Sequence, residues 1–468
     1  MQQLQTVLTV IDQNIKQSCA TLFDFVRFAS VGTDPAYVGD CKNAADWLLA
    51  YLQGLGLHTS LHPTTGQPAV IGRTQRQGAT AKPHILFYGH YDVQPAEPFN
   101  LWHSPPFEPR LGKGAHGQDV MFGRGTSDDK GQLLTFLEAC KAWIKCHGEL
   151  PFDLTVLLEG DEEGDTSHLD RFLAENSDAF SADVVFICDT EMWNRETPAI
   201  TTSLRGCIAD EITIHGPRID LHSGYYGGPA VNPIKVLSAI LAKMHDKNGR
   251  ITIPGFYNGI KPVTEAQKRQ WKSLKLKPSD YLGAVGLKHL AGEKGFSLLE
   301  QLWARPTAEV NGIYGGYRGA GAKTVLPATA TAKLTFRLVQ GQKPKSIRAA
   351  FRKFVKANLP TNCKVTFNEQ GGDNTGIKVS ENSTWVSAAS RALEAEWNRK
   401  AMLIGSGASI PVVQSFKEHL GLDCLLVGFA RDDDCIHSPN EKYDVESYHK
   451  GTRSWACLIN EIAQGDLE

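Results

Sequence analysis

The stretch Ile85-Leu86-Phe87-Tyr88-Gly89-His90-Tyr91-Asp92 decides the fold class of this 468-residue chain. Its first four residues form a short apolar run, which is typical of a strand buried on both faces of a sheet. In an extended segment His90 and Asp92 point to the same side. A histidine that binds a metal commonly has a carboxylate neighbour that fixes its orientation. A capping or turn role at the strand end explains the same pair of residues, so the motif alone leaves both readings open.

Similar apolar runs recur along the chain, each followed by acidic or histidine residues. The combinations are 154–158 with Glu162 and Glu163, 184–188 with Asp189, the glycine-rich turn 123–125 with Asp128 and Asp129, and 425–429 with His437. The carboxyl ends of parallel strands meet at one edge of a sheet. We therefore expect these side chains to converge at that edge.

Helical patterns separate the apolar runs in the N-terminal half. Apolar residues recur at helical spacing near 4–15, 44–52, 131–145 and 168–176. Alternation of strand and helix predicts an α/β domain whose mostly parallel sheet carries helices on both faces.

The pattern changes near residue 205. Segments 208–215, 330–337 and 364–367 alternate polar and apolar residues as half-exposed strands do, and a helix is expected at about 233–245. This block predicts an inserted α+β domain with an antiparallel sheet. We assign 206–374 to the insertion, with 1–205 and 375–468 forming a discontinuous domain. The glycine-rich stretch 312–321 is expected to be a loop.

Composition excludes several classes of partner. The formal net charge is −2, so no global field favours nucleic acid or a membrane surface. No apolar run approaches the roughly 18 residues that a membrane span needs. The N-terminus lacks the features of a secretory signal. Ten cysteines without a Cys-x-x-Cys pair predict free thiols in a reducing cytosol and therefore a cytoplasmic protein.

The acidic segments suit a metal centre better than a phosphate site. Glu162-Glu163 alone could be a solvated turn, but with a metal one carboxylate can ligate and the other can act as general base. The segment before Asp128 lacks a phosphate-loop pattern, and two aspartates at a helix start would repel phosphate. Nitrogen and oxygen donors without thiolate favour Zn²⁺, with Mn²⁺ or Co²⁺ as alternatives. Two such ions about 3.5–4 Å apart form a hydrolytic site.

Several segments together resemble the M20 family of dinuclear zinc peptidases, in particular its branch of cytosolic non-specific dipeptidases and carnosinases. The segments are 89–95, 123–131, 159–164 and 436–441, with 220–228 and 321–327 resembling that branch's lid-domain signatures. The resemblance implies two divalent metal ions per subunit. The ligands it assigns are His90 and Asp189 on one ion, Glu163 and His437 on the other, and Asp128 between the two. It makes Asp92 the residue that orients His90. Glu162 becomes the general base, which takes a proton from the bridging water and returns it to the leaving amine.

The resemblance also implies that the inserted domain is a lid through which the protein forms a homodimer. His222 and Thr324 would reach the active site of the partner subunit, His222 stabilising the oxyanion. Arg337 and Ser409 would bind the carboxylate of the substrate within their own subunit. From the sequence alone, His222 could instead cap a turn and Arg337 could be an ordinary surface residue of a strand.

The implied function is hydrolysis of the amide bond of dipeptides. The chain departs from the branch at Gly405-Ser406-Gly407-Ala408-Ser409, where Arg-Glu-Gly-Gly-Ser is usual, so the branch's substrate preference does not carry over directly. Two alternatives remain open. One is an amidohydrolase for N-acyl or N-carbamoyl amino acids, and the other is a non-catalytic member that binds peptides. The retained glutamate pair 162–163 argues against the second.

Overall fold

The computed structural model describes residues 2–75, 82–283 and 285–465. The chain forms two compact units. The first unit contains the residues up to Thr202, 379–404 and those from Val412 onward, and the second contains 203–378 and 405–411. The short segment 405–411 thus packs with the second unit, whereas the sequence-based division left it in the discontinuous domain. Hydrogen bonds explain its place, since Ser406 N donates to Ser203 O at 2.7 Å and Arg205 N donates to Ala408 O at 3.0 Å.

The helices and strands are numbered in chain order. The helices are α1 Gln2–Val26, α2 Val38–Gly54, α3 Lys130–His147, α4 Ser167–Glu175, α5 Ser223–Tyr226, α6 Pro233–Ala242, α7 Glu265–Ser273, α8 Pro278–Gly283, α9 Leu298–Trp303, α10 Pro344–Ala357, α11 Thr384–Trp397, α12 Pro411–Ser415 and α13 Val445–Ala463. The strands are β1 His58–His62, β2 Ala69–Arg73, β3 His84–His90, β4 Arg110–Lys113, β5 Asp119–Phe122, β6 Asp153–Glu159, β7 Val184–Ile187, β8 Ala199–Leu204, β9 Gly206–His215, β10 Leu221–His222, β11 Thr307–Gly315, β12 Val325–Leu326, β13 Thr329–Leu338, β14 Lys364–Glu369, β15 Ile377–Lys378, β16 Met402–Gly405, β17 Cys424–Leu426 and β18 Lys442–Asp444.

The central sheet of the first unit has a parallel middle and antiparallel margins. Its strand order runs β1-β2-β6-β3-β7-β17-β8. Strands β6, β3, β7 and β17 pair in parallel, while β1, β2 and β8 add antiparallel neighbours. The predicted mostly parallel α/β sheet is therefore confirmed. The apolar run that begins at Ile85 is β3, and its residues 85–90 are all buried.

Aromatic packing ties the helices to this sheet. Helices α1, α3, α11 and α13 pack on one another, and α2 packs against β1 and β2. The ring of Phe87 on β3 stacks on Phe136 of α3 with centroids 4.1 Å apart. Trp455 of α13 contacts both Phe136 and Phe186. Residues that are far apart in sequence thus form one buried cluster beneath the strand ends.

The second unit contains the predicted antiparallel sheet. Its order is β11-β13-β9-β14, and every pairing is antiparallel. Alternate residues of β9 and β13 join apolar side chains of α6 and α10 in one core. The glycine-rich stretch 312–321 was predicted to be a loop, but its first residues extend β11 as far as Gly315. Pairing with β13 stabilises them in that conformation, with a register shift between Val310 and Gly312.

The cysteine prediction agrees with the structure. All ten cysteines are free thiols; seven of them are buried, and only Cys435 is exposed. Across the described ranges, no helix has the length together with the apolar character needed to cross a bilayer.

Candidate metal centre

Three of the predicted ligands meet beside the ends of β3 and β7. His90 is the last residue of β3, and Asp189 follows β7, which is the parallel neighbour of β3. His90 Nε2 lies 3.1 Å from Asp128 Oδ1. One potential ligand atom from each of His90, Asp128 and Asp189 lies within 4.8 Å of the others. This is the arrangement that a single cation needs.

A second group shares Asp128 with the first. It consists of Asp128, Glu163 and His437, again with ligand atoms within 4.8 Å of one another. His437 Nε2 lies 3.0 Å from Asp128 Oδ2 and 3.0 Å from Glu163 Oε1. The two oxygens of Asp128 therefore face different histidines. A carboxylate placed in this way can bridge two cations.

The expected convergence at one sheet edge accounts for only part of this centre. His90, Glu163 and Asp189 do follow strands of the parallel sheet. Asp128 instead follows β5, which belongs to a separate three-stranded antiparallel sheet of order β18-β5-β4. His437 lies in the loop between β17 and β18, well beyond the end of β17. The strand-end prediction was therefore wrong for these two residues, and loop contacts bring them to the site.

A buried ion pair connects the two loops, and the sequence analysis assigned no role to its members. Arg124 Nη1 donates to Glu441 Oε2 at 2.8 Å, and both side chains are 1% exposed. Glu441 also accepts hydrogen bonds from the backbone N–H groups of Gly125, Ser127 and Asp128. Arg124 Nη2 donates to the carbonyl of Ser438 in the His437 loop. Glu441 thus positions the backbone that carries the shared ligand. Both residues lie in segments that carry the family resemblance, but no spacing rule indicated that they pair.

Glu441→Gln is expected to weaken metal binding and to destabilise the fold. Breaking a buried ion pair costs about 3–5 kcal/mol, and loss of a group that positions a ligand lowers metal affinity about 10- to 100-fold. Thermal unfolding and titration against a competing chelator measure the two effects. Glu446→Gln is the matched control, because its side chain is 50% exposed in its pair with Arg431. Equal metal affinity in Glu441→Gln and the wild type would refute the positioning role.

Asp92 makes contacts beyond the predicted one with His90. His90 Nδ1 lies 3.3 Å from Asp92 Oδ1 and 3.1 Å from the Asp92 carbonyl oxygen. The two carboxylate oxygens of Asp92 also accept the backbone N–H groups of Glu162 at 3.2 Å and Glu163 at 2.9 Å. One buried carboxylate therefore organises both the histidine and the turn that carries the glutamate pair.

The two adjacent glutamates differ in their partners. Glu163 pairs with His437 through one oxygen and accepts a hydrogen bond from Gln94 Nε2 at 2.8 Å through the other. The carboxylate of Glu162 has no hydrogen-bond or ion-pair partner among the described residues. Burial raises its pKa well above the usual range. His90 opposes that rise, and the negative charges of Asp189 and Glu163 add to it. An unpartnered carboxylate beside ligand groups is suited to proton transfer.

The electrostatics of the centre indicate more negative charge than its two imidazoles balance. Hydrogen bonds to Asp128 and Glu163 raise the pKa of His437 to about 10. Burial tends to raise the pKa of Asp128, but the two histidines hold it well below its usual range. Burial and the charge of Asp128 raise the pKa of Asp189 to about 7. Carboxylates with raised pKa values beside one another favour cation binding. The donor set of two imidazoles and three carboxylates therefore fits a pair of divalent ions.

A third acidic group, Asp433, Asp434 and Asp444, has a different character. Lys442 Nζ donates to all three carboxylates at 2.6–2.8 Å. Arg431 donates to Asp444 as well. Cations of the chain itself occupy this cluster, so it is a structural network. The acidic run before His437 is not simply a solvated loop, because Asp434 is fully buried and accepts a hydrogen bond from Ser127 Oγ at 2.8 Å.

The remaining predicted site residues belong to the second unit, where they form two pairs. His222 and Thr324 are adjacent, because β10 pairs with β12 and Ser223 N donates to Thr324 O at 3.0 Å. The exposed ring of His222 accepts a hydrogen bond from Gly224 N through Nδ1. The capping role considered from the sequence is thus present, and no described residue forms a hydrogen bond with Nε2. Arg337 Nη1 lies 3.3 Å from Ser409 Oγ.

Comparison with known proteins agrees with this geometry. Residues 86–461 match the family model described as Peptidase family M20/M25/M40. The chain is 34% identical over 471 residues to the Cys-Gly metallodipeptidase of Candida albicans, covering 96% of each chain. The structure of human carnosine dipeptidase 1 superimposes with a TM-score of 0.80 at 26% identity, covering 98% of this chain and 99% of that one. The M20 family metallo-carboxypeptidase Sso-CP2 from Sulfolobus solfataricus gives a TM-score of 0.83 at 27% identity, covering 96% and 99%. The chain therefore belongs to peptidase family M20/M25/M40, a family of metal-dependent hydrolases.

Proposed function

We propose that this protein is a dinuclear metal-dependent dipeptidase. One observation carries the proposal. Two ligand groups share Asp128, and the unpartnered carboxylate of Glu162 lies on the same turn as the ligand Glu163. His90 and Asp189 would hold one ion, and Glu163 and His437 the other. When bound, such ions polarise the scissile carbonyl and make a water molecule acidic enough to serve as nucleophile at neutral pH.

The proton transfers fall to Glu162. Its carboxylate would accept a proton from the attacking water and deliver it to the amine that leaves. Asp92 keeps Glu162 within reach because it binds the backbone N–H groups of the 162–163 turn. Asp92 also holds His90 in the orientation that directs Nε2 towards Asp128. Asp92 is therefore proposed as a positioning residue and Glu162 as the catalytic base.

Substrate binding is proposed to involve the second unit. Arg337 would bind the substrate's terminal carboxylate, because the planar guanidinium can donate two parallel hydrogen bonds, and Ser409 would add a third. His222 of the partner subunit would donate to the developing oxyanion, with Thr324 of the partner subunit beside it. The pairing of β10 with β12 supports a joint role for these two residues.

The edge strand β11 supports the homodimer that this assignment requires. It forms one margin of the second unit's sheet and exposes apolar side chains, with Val310 44%, Ile313 55% and Tyr314 40% accessible. On the opposite margin, β14, the exposed residues are all polar. An unpaired edge with exposed apolar groups is a template for another chain. We propose that a second copy of this chain covers it.

The proposed function predicts metal content and a substrate class together. The purified protein should carry about two divalent ions per chain and should hydrolyse Ala-Ala only when they are present. Metal analysis before and after chelation, followed by re-addition of Zn²⁺, Mn²⁺ or Co²⁺, tests the first part. A panel of Ala-Ala, N-acetyl-alanine and N-carbamoyl-alanine tests the second. Cleavage of the acyl or carbamoyl compounds without Ala-Ala would favour the amidohydrolase alternative. Tight peptide binding without any turnover would favour a non-catalytic member.

A further inference from the structure

The second unit contains a cavity of about 870 Å³ whose wall includes two neighbouring arginines, Arg205 and Arg337. Arg337 and Thr335 project from the sheet face opposite the apolar core, because the alternating residues Leu334 and Phe336 point into that core. Arg205 lies at the turn from β8 to β9, and Cys207 pairs with Arg337 across the sheet. The cavity therefore presents two guanidinium groups on the free face of this sheet.

Among the described residues, neither guanidinium forms an ion pair. Arg205 Nε donates to the carbonyl of Gly407 at 2.9 Å, and Arg337 Nη1 donates to Ser409 Oγ. Within the described parts of the chain, no carboxylate lies within 4.0 Å of either group, although Glu309 also lines the cavity. Arg305, in the same wall, differs because it pairs with Glu293 at 2.6 Å. Burial, followed by the charge of Arg337, lowers the pKa of Arg205 to about 10, and the more distant charge of Glu309 only partly opposes this effect.

The loop that holds both arginines contains no acidic residue. It is the segment Gly405–Pro411, whose sequence is Gly-Ser-Gly-Ala-Ser-Ile-Pro. A Cβ atom at Gly405 would lie 2.6 Å from Trp303 Cγ, so this position does not accept a larger side chain. A Cβ atom at Gly407 would lie 2.9 Å from Arg205 Nη2, so a larger residue there would require the guanidinium to move. This segment thus offers the two guanidinium groups only neutral acceptors.

We infer that Arg205 and Arg337 together bind a C-terminal residue carrying two carboxylates, so that the preferred substrates are dipeptides ending in aspartate or glutamate. The inference rests on the proposed dipeptidase function, in which Arg337 binds the terminal carboxylate. Arg205 then faces the side-chain carboxylate of that residue. This carboxylate forms the ion pair with Arg205 that no described carboxylate of the protein forms. Partly buried cations that form no ion pair gain most from an anionic ligand, because that ligand replaces lost solvation.

The test compares substrates that differ only in charge. For wild-type protein, kcat/KM should be about 10- to 100-fold higher for Ala-Glu than for Ala-Gln, and similarly for Ala-Asp over Ala-Asn, as expected for a charged hydrogen bond. Arg205→Gln keeps a donor for the Gly407 carbonyl but removes the charge, so the ratio should fall towards one. Arg205→Lys keeps the positive charge and should retain most of the wild-type ratio. Lys364→Gln removes an exposed charge at the start of β14 and is the matched control, with the wild-type ratio expected.

If the wild-type kcat/KM for Ala-Glu is close to that for Ala-Gln, the inference is overturned, even if Arg205→Gln does not fold. Turnover of Ala-Ala in the same experiment would leave the proposed dipeptidase function intact. If none of the dipeptides is cleaved, the proposed function fails. Calorimetric titration of the same four peptides then tests separately whether the two arginines bind the charged C-terminal residue. The role of the two arginines is supported if Ala-Glu binds more tightly than Ala-Gln and if Arg205→Gln abolishes this difference. Equal binding of the two peptides refutes it.

Discussion

Replacing Glu162 by glutamine is expected to lower kcat for Ala-Ala by about 10²- to 10⁴-fold, the usual contribution of a general base. The metal content should remain that of the wild type, because Glu162 is not among the ligand groups. Glutamine keeps the shape of the side chain but cannot accept the proton. Steady-state kinetics combined with metal analysis of the same preparation measures both quantities.

The neighbouring glutamate provides the sharpest comparison. Glu163→Gln removes a carboxylate that pairs with His437, so it should lose metal as well as activity. Glu175→Gln, an exposed change of the same kind at the end of α4, should alter neither. Metal loss in Glu162→Gln, or turnover close to that of the wild type, would show that the two roles are assigned to the wrong residues.

Replacing His222 by alanine is expected to lower kcat by about 10²- to 10³-fold, as removal of one oxyanion donor does. The metal content should again be unchanged, since His222 belongs to the second unit and is not a ligand. The proposal that His222 acts in the partner subunit makes this loss recoverable. Co-expression of His222→Ala with Glu162→Gln should restore about one quarter of wild-type activity. Half of randomly assembled dimers are mixed, and each mixed dimer contains one intact site.

The state of assembly provides an independent check. Ile313→Glu places a charge on the exposed face of β11 and should convert dimers to monomers, with activity falling in parallel. Leu111→Glu is the control, because Leu111 is 57% exposed on an edge strand of the first unit. Sedimentation velocity measures the mass of each variant. An active monomer, or the absence of rescue in the mixed dimers, would mean that His222 acts within its own chain.

Local pattern predicted the regular elements well where one periodicity dominated. The apolar runs near 85, 154 and 184 are strands of the parallel sheet, and the alternating segment 208–215 lies within β9. Prediction failed where pairing with distant residues overrides local preference. Gly312–Gly315 extends β11 because β13 supplies hydrogen bonds, despite its glycine content. Likewise, residues 405–411 belong to the second unit because they form hydrogen bonds with Ser203 and Arg205, which lie about two hundred residues earlier in the chain.

The amino-acid sequence by itself determined the fold class, the family and the kinds of donor available at the site, because these depend on residue type, order and spacing. Only the tertiary structure decided which histidines share the carboxylate of Asp128. It also decided which charged side chains have no partner of opposite charge. Asp128 faces both His90 and His437 because Arg124 and Glu441, 317 residues apart, join their loops. Among the described residues, Glu162 has no cation and Arg205 no carboxylate in an ion pair, because folding brings such groups to their neighbours. Pairing depends on distances through space, and those distances exist only after the chain has folded.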